Sequence, residues 1–256
     1  MFDKEESRVT GVVLAGGEGK RLRPLTYYFQ KCMIPVGSRQ KPLLEYIILL
    51  LKRHGIVNLK LLAGYKHEQV ENYFNHGERF GVKIDYIIDD PAFGGSGGAI
   101  LNAARNGTFE GADTLLVYYG DILSDIDLSA LLRQHTESES MATLAVINGY
   151  QVPVGVAEIE GRRVKDWVEK PRIDIYAGIG VMVLNAVVLG HLKKLAVGRD
   201  ELDLMGDFVP YLLRRGERVE AYLTDAFWYD VGSTEKYEKI DNSFVDKLFS
   251  QLSSAR

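Results

Sequence analysis

Cysteine is almost absent from this chain: Cys32 is the only one in 256 residues. That excludes a disulfide framework and any cysteine-based zinc knuckle. An excess of basic charge is missing too. Lys and Arg number 31 against 35 Asp and Glu, a formal charge of −4 with a pI near 5.8. Bulk electrostatic binding to nucleic acid is thereby disfavoured, and only a local basic cluster stays open. No long apolar run is present: the longest, Tyr176–Gly190, is interrupted by Asn185 and falls short of the roughly 20 residues a membrane helix needs. Met1–Thr10 is charged and lacks the apolar centre of a secretory leader. The five histidines (His54, His67, His76, His135, His191) show no metal-ligand spacing and are expected at the surface. No repeat, low-complexity tract or linker divides the chain. These absences point to a soluble, cytoplasmic protein with neither nucleic acid nor membrane as partner.

Glycine, by contrast, is abundant: 26 residues, roughly 10% against a typical share of about 7%. Hydrophobic residues at 46% and charged residues at 26% exclude a largely disordered chain. The length suits one large α/β domain or two small ones.

Strand-like and helix-like segments alternate through the first half. Val9–Ala15 is a β-branched apolar run stopped by Gly16-Gly17, as a buried parallel strand would be. Pro42–Arg53 reads as a helix capped by Gly55, Val57–Ala63 as a strand, His67–Phe74 as a helix and Val82–Asp89 as a strand. Gly97–Arg105 (helix), Thr114–Tyr119 (strand), a helix around Asp127–His135 capped by Asp127, and Ala142–Asn148 (strand) follow. Further on, strands predominate at Val154–Glu160, Val164–Val168 and Tyr176–Leu184. Helices at Ala186–Leu195 and Phe208–Arg215, strands at Val219–Thr224 and Phe227–Val231, and a final helix from Thr234 complete the pattern. Such alternation predicts a Rossmann-like α/β fold: a mixed, mostly parallel sheet flanked by helices, its ligand beyond the carboxyl ends of the strands. The later strands are expected to extend the sheet and form a small β lobe.

The first strand runs into Leu14-Ala15-Gly16-Gly17-Glu18-Gly19-Lys20-Arg21-Leu22-Arg23-Pro24-Leu25-Thr26. Glycines there let backbone N–H groups approach a phosphate closely. A dinucleotide fingerprint would need glycine at position 22, which is Leu22. A Walker A loop would need glycine at position 14 and Ser or Thr at position 21, which are Leu14 and Arg21. What remains is either a tight turn with a solvated basic face or a phosphate site built from backbone donors, Lys20, Arg21, Arg23 and the later Lys31.

Leu14-Ala15-Gly16-Gly17-x-Gly19-x-Arg21-Leu22-x-Pro24-Leu25-Thr26, followed by Lys31-x-Met33-Ile34-Pro35-Val36, resembles the signature of sugar-1-phosphate nucleotidyltransferases. The resemblance continues, in the expected order, through Phe93–Ile100, Gly120-Asp121, Glu169-Lys170-Pro171, Ala177-Gly178 and Trp228-x-Asp230-x-Gly232. Molybdopterin-type nucleotidyltransferases share the glycine-rich start, but Pro24-Leu25-Thr26 fits the sugar group better. The resemblance implies the nucleotide-diphospho-sugar transferase fold and attack by a sugar 1-phosphate on the α-phosphorus of a nucleoside triphosphate, with Mg²⁺ as cofactor. It assigns catalysis to Arg21, Lys31 and Asp121. The nucleotide falls to Leu14, Ala15, Gly16, Gly17, Gly19, Lys20, Arg21, Lys31, Asp90, Gly95, Ser96 and Asp121. The sugar phosphate falls to Gly155, Glu169, Lys170, Gly178 and Asp230, and the metal to Asp121 and Asp230. Asp125 and Asp127 rival Asp121 but suit turn and cap roles.

Position 90 bears on the base. Relatives that use UTP or dTTP generally carry glutamine there, whereas Asp90 is an acceptor-only carboxylate suited to guanine, whose N1–H and amine both donate. Asp89 is an alternative for the same role. The expected donor is GTP and the expected acceptor mannose 1-phosphate or a related sugar. The alternatives are a UTP- or dTTP-dependent glucose-1-phosphate enzyme, a silent nucleotide-sugar-binding regulatory subunit, and a generic nucleotide-binding module. Cys32, Val154, Tyr176 and Gly180 depart from the family pattern, and the last three fall in the sugar pocket. The expected organisation is one catalytic domain over residues 1–256. Its nucleotide half spans about 8–150 and its sugar half about 151–240; no C-terminal β-helix domain follows, and a homo-oligomer remains open.

Overall fold

Val9–Ala15 (β1) sends alternate side chains to opposite cores: Val13 and Ala15 enter one, Val12 the other. A strand buried on both faces needs neighbours on both edges, and β1 pairs in parallel with Asn58–Ala63 and Thr114–Tyr119. This computed structural model describes residues 8–253. The leaderless amino terminus read from the sequence lies, up to residue 7, outside the described residues.

Pro35–Val36 (β2) and Lys41–Pro42 (β3) form a short hairpin leading into Leu43–Arg53 (α1). Asn58–Ala63 (β4), His67–Phe74 (α2), Lys83–Ile88 (β5), Ser96–Arg105 (α3) and Thr114–Tyr119 (β6) continue the alternation. Next come Ile122–Ser124 (β7), Leu128–Ser138 (α4), Ala142–Gln151 (β8), Val156–Glu160 (β9), Arg163–Val168 (β10) and Arg172–Asn185 (β11). Val188–Leu195 (α5), a π-helical turn at Leu204–Phe208, Val209–Arg214 (α6) and Val219–Leu223 (β12) follow. Trp228–Asp230 (β13), Thr234–Glu238 (α7) and Asn242–Ser253 (α8) close the chain.

The central seven-stranded sheet has the order β12-β8-β11-β6-β1-β4-β5. Its ladders are parallel except where β11 runs antiparallel to both β6 and β8. The mixed, mostly parallel sheet expected from the sequence is therefore present, and β8, β11 and β12 do extend it. One core packs α1 and α8 (Leu44, Ile48, Phe249) against it, the other α3, α5 and α6 (Ile100, Leu192, Leu212). The β9–β10 hairpin forms its own two-stranded sheet, and every residue of β10 is exposed.

Three expectations need correction. The Phe227–Val231 strand pairs not with the main sheet but with β7, a short strand that its three-residue length hides from any periodicity. The closing helix is two helices, α7 and α8, broken at Lys239–Asp241. His135 is not a surface residue: it is 4% exposed, with its Nδ1 2.9 Å from the Thr143 hydroxyl.

Candidate active site

Beyond the carboxyl ends of β1 and β6 lies a cavity of about 330 Å³. Ala15, Gly16 and Gly17 wall one side, Gly95, Ser96 and Ala99 another, and Lys31, Asp89, Tyr119 and Asp121 complete it. The parallel strands end there, which is where an open α/β sheet places its ligand site. The two glycine-rich segments singled out in the sequence thus enclose one space.

Lys31 and Asp121 meet in an ion pair, both side chains under one-fifth exposed. Gln30, 1% exposed, positions the lysine: its Nε2 donates to the Ala15 carbonyl and its Oε1 accepts from the Cys32 N–H. One amide thereby ties the end of β1 to the turn that carries Lys31. Arg21 is exposed and has no ion pair among the described residues, whereas Lys20 pairs with Glu18 at 3.5 Å. Gly19 holds a left-handed φ of 62° and its carbonyl accepts from Thr26 Oγ1 at 2.9 Å.

Ser96 opens α3. Its hydroxyl donates to Asp203 Oδ2 at 2.8 Å and accepts from the Leu204 N–H at 2.8 Å. The Gly97 and Gly98 N–H groups donate to the Leu202 carbonyl, so Gly95–Gly98 is clamped to the segment before the π-helical turn.

Of the two neighbouring aspartates expected to read the base, Asp89 and not Asp90 lines the cavity. The Asp90 carboxylate instead accepts from the Ala92 N–H at 2.9 Å in its own turn. Asp89 presses so close to Gly16 that a Cβ there would lie 1.8 Å from Oδ2. Its Oδ1 is buried with no hydrogen-bond partner, and burial pushes its carboxyl up to about 6. An unsatisfied buried acceptor on a cavity wall is chemistry awaiting a donor.

A sequence model of the nucleotidyl transferase family matches residues 10–247. The chain belongs to that family. It is 38% identical over 231 residues to the D-glycero-alpha-D-manno-heptose 1-phosphate guanylyltransferase of Aneurinibacillus thermoaerophilus, covering 89% of this chain and 95% of that one. It is 30% identical over 246 residues to the UTP–glucose-1-phosphate uridylyltransferase of Synechocystis sp., covering 88% of this chain and 61% of that protein. The chain spans about three-fifths of the length of the first curated relatives it matches. A solved structure from Bacillus anthracis, provisionally described as a glucose-1-phosphate thymidylyltransferase in complex with a sucrose, superposes with a TM-score of 0.73 at 25% identity. That match covers 97% of this chain and 96% of the other.

In this nucleotidyl transferase the residues expected on the sugar side divide. Asp230 stands next to the first cavity's Asp121 in the β7–β13 ladder: it pairs in register with Ile122, and Val231 N–H donates to the Asp121 carbonyl at 2.9 Å. Asp230 also walls a second cavity of about 490 Å³ with Tyr150, Arg172, Trp228 and Lys236. Gly155 sits under the Trp167 ring and Glu169, where a Cβ would lie 2.2 Å from Trp167 Cζ2 and 2.9 Å from Glu169 Oε2. Lys170 is exposed with a positive φ of 48°, and Gly178 faces Met205.

A divalent cation is tested by the donors present. Asp121, in the turn between β6 and β7, and Asp230, on β13, each offer a carboxylate, the donor type that magnesium combines with substrate phosphates. Among the described residues no group of three or more His, Cys, Asp or Glu could hold a metal alone. The donor type suits magnesium, with phosphate needed to complete its shell.

Sequence reasoning missed Gln30, Tyr119, Arg172 and Lys236. Gln30 and Tyr119 flank quoted motifs, but nothing in the spacing of Arg172 or Lys236 marks them.

Proposed function

We propose that this nucleotidyl transferase couples a nucleoside triphosphate, GTP by preference, to a sugar 1-phosphate, forming a nucleotide sugar and releasing pyrophosphate. The carrying observation is the first cavity, where the glycine loop, the start of α3 and the Lys31–Asp121 pair share one space. On this reading the half at about 8–150 takes the donor and the half at about 151–240 the acceptor.

A sugar-phosphate oxygen attacks the α-phosphorus, and the bond from that phosphorus to the oxygen bridging to the β-phosphate breaks. Both reactants are anions, so alignment and charge neutralisation carry the rate. Backbone N–H groups at Gly16 and Gly17 receive phosphate oxygens. Lys31 supplies a point charge and Arg21 a planar fork for the triphosphate. Asp89 accepts from the guanine N1–H and amine, which gives its orphaned oxygen a partner. Glu169 accepts from sugar hydroxyls, and Lys170 meets the acceptor's charge. Magnesium, when bound by Asp121 and Asp230, supplies further neutralisation of the phosphates.

The test is a pyrophosphate-release assay with Mg²⁺ over GTP, UTP and dTTP, each with mannose 1-phosphate, glucose 1-phosphate and a heptose 1-phosphate. Highest turnover with GTP is expected. Preference for UTP or dTTP overturns the role of Asp89. No turnover in any combination overturns catalysis and leaves a nucleotide-sugar-binding regulatory subunit.

A further inference from the structure

Lys31 follows a segment whose own side chains do little to hold it. Tyr27, Tyr28 and Phe29 are 55%, 72% and 41% exposed, so burial in the core does not fix their backbone. Hydrogen bonds from the corner between β4 and α2 do so instead. Tyr65 Oη donates to the Thr26 carbonyl at 3.1 Å, and Lys66 Nζ to the Tyr27 carbonyl at 2.7 Å. Gln69, in the first turn of α2, makes two such bonds. Its Nε2 donates to the Tyr28 carbonyl at 2.7 Å, and its Oε1 accepts from the Gln30 N–H at 2.8 Å. One amide thus pairs with the segment through a donor and an acceptor, as a neighbouring strand would.

The same corner holds the glycine loop. Tyr65 N–H donates to the Gly16 carbonyl at 3.1 Å. Gly64 packs so closely on Gly16 that a Cβ would lie 2.8 Å from that carbonyl oxygen. Both loops that wall the first cavity are therefore set by one element. From Gln69 the contacts run on without a gap to the cavity. Gln30, held through its N–H, anchors its side chain on the Ala15 carbonyl and the Cys32 N–H. Both chain neighbours of Lys31 are fixed in this way, and Lys31 meets Asp121.

We propose that Gln69 is a positioning residue for the reaction, placing Lys31 against the phosphates through Gln30. This rests on the nucleotidyl-transfer reading, in which Lys31 neutralises charge on the triphosphate. Gln69 lines neither the first cavity nor the second, so it acts only through the residues it holds. A cation that meets charge developing in the transition state shows in kcat more than in KM. A residue that merely kept the loop folded would move both constants together.

The test compares Gln69→Ala and Gln69→Glu in the full chain, with circular dichroism to confirm folding. Gln69→Glu keeps the acceptor for the Gln30 N–H and loses the donor to Tyr28. In Gln69→Ala, main-chain hydrogen exchange across residues 26–32 should speed up about fivefold or more, the signature of a lost hydrogen bond. With the substrate pair that the parent turns over fastest, kcat should fall about tenfold while the KM for the triphosphate stays within about twofold. Gln69→Glu should fall between parent and Gln69→Ala, and serves alone should the alanine variant fail to fold. In a Lys31→Met background, adding Gln69→Ala should change kcat less than about twofold, because the group it positions is gone.

Unchanged exchange across 26–32 overturns the proposal, as does a kcat within twofold of the parent in both variants. Equal losses from Gln69→Ala with and without Lys31 also overturn it, and so does a rise in KM as large as the fall in kcat. Pyrophosphate release by the parent separates the two levels. No turnover there sinks the nucleotidyl-transfer reading and this role with it, whereas turnover in the parent with unchanged kcat in the variants sinks only the role of Gln69.

Discussion

Lys31 and Asp121 stand 90 residues apart in sequence and form an ion pair on one cavity wall. Neither end is free to wander. Gln30 fixes the turn before the lysine, and the aspartate follows directly on β6 and Gly120. The pair therefore presents a cation beside a carboxylate at a preset place, which is the preorganisation that phosphoryl chemistry rewards. Lys31→Met is expected to lower kcat about 100-fold or more, with circular dichroism still showing a folded protein. A kcat within threefold of the parent would remove Lys31 from the chemistry.

Asp89 ties stability to function with opposite signs. Its carboxyl is pushed up to about 6 from an ordinary 3.8 by burial. Because the folded state raises this pKa, the protonated form favours folding and the benefit is lost as pH rises through about 6. At about 1.4 kcal/mol per pKa unit, the ionised carboxylate costs the ligand-free protein roughly 3 kcal/mol at pH 8. Asp89→Asn should therefore raise Tm at pH 8, with a gain that falls to about half near pH 5 and vanishes only below about pH 4. The same change should raise the KM for GTP about tenfold or more and leave the sugar-phosphate KM alone. An unchanged or lower Tm at pH 8 would show that Asp89 has a partner in the empty protein.

Most of the frame was legible because it rests on local periodicity. The run Val9–Ala15 reads as a two-sided buried strand, and Asp127 does cap α4, its Oδ1 accepting from the Ala130 N–H at 2.9 Å. The glycine segments at 16–19 and 94–98 were legible as a ligand site through the family resemblance; spacing alone left the first as either a tight turn or a phosphate loop. What escaped was set by distant contacts. Whether Asp89 or Asp90 faces the cavity depends on the turn at Pro91, which one sequence leaves undecided. Arg172 enters the second cavity because Gly149, 23 positions earlier, leaves it room. The sequence alone gives no sign that His135 is buried, yet α4 packs against β8 and encloses it beside Thr143 and Ser140.

That buried histidine has a pH signature of its own. Burial lowers its pKa to about 4 from 6.5, so the neutral ring belongs to the folded state. A depressed folded pKa means the stabilising contribution is complete above pH 6.5 and is lost as pH falls towards 4. The total is roughly 3 kcal/mol. In urea unfolding, the parent should lose stability faster than His135→Gln across that window, and the two slopes should match above pH 7. Parallel curves from pH 7 to 4 would show that His135 titrates alike in both states.

Ser96 joins the nucleotide cavity to the segment that braces it. Its hydroxyl satisfies Asp203 and the Leu204 N–H, and Tyr119 OH donates to it at 3.3 Å. Ser96→Ala strips the partner from a part-buried N–H and a carboxylate at once, an expected cost of about 1–3 kcal/mol. The loosened element is the amino end of α3, whose Gly95 and Ala99 wall the donor cavity. The KM for the nucleoside triphosphate should therefore rise severalfold, while the KM for sugar phosphate, bound on the Asp230 side, stays within twofold. Equal rises in both constants would mean that the segment supports the whole site and not the donor cavity alone. Ser96→Thr keeps the hydroxyl and should restore the donor KM, which separates the hydrogen bonds from the simple loss of side-chain volume.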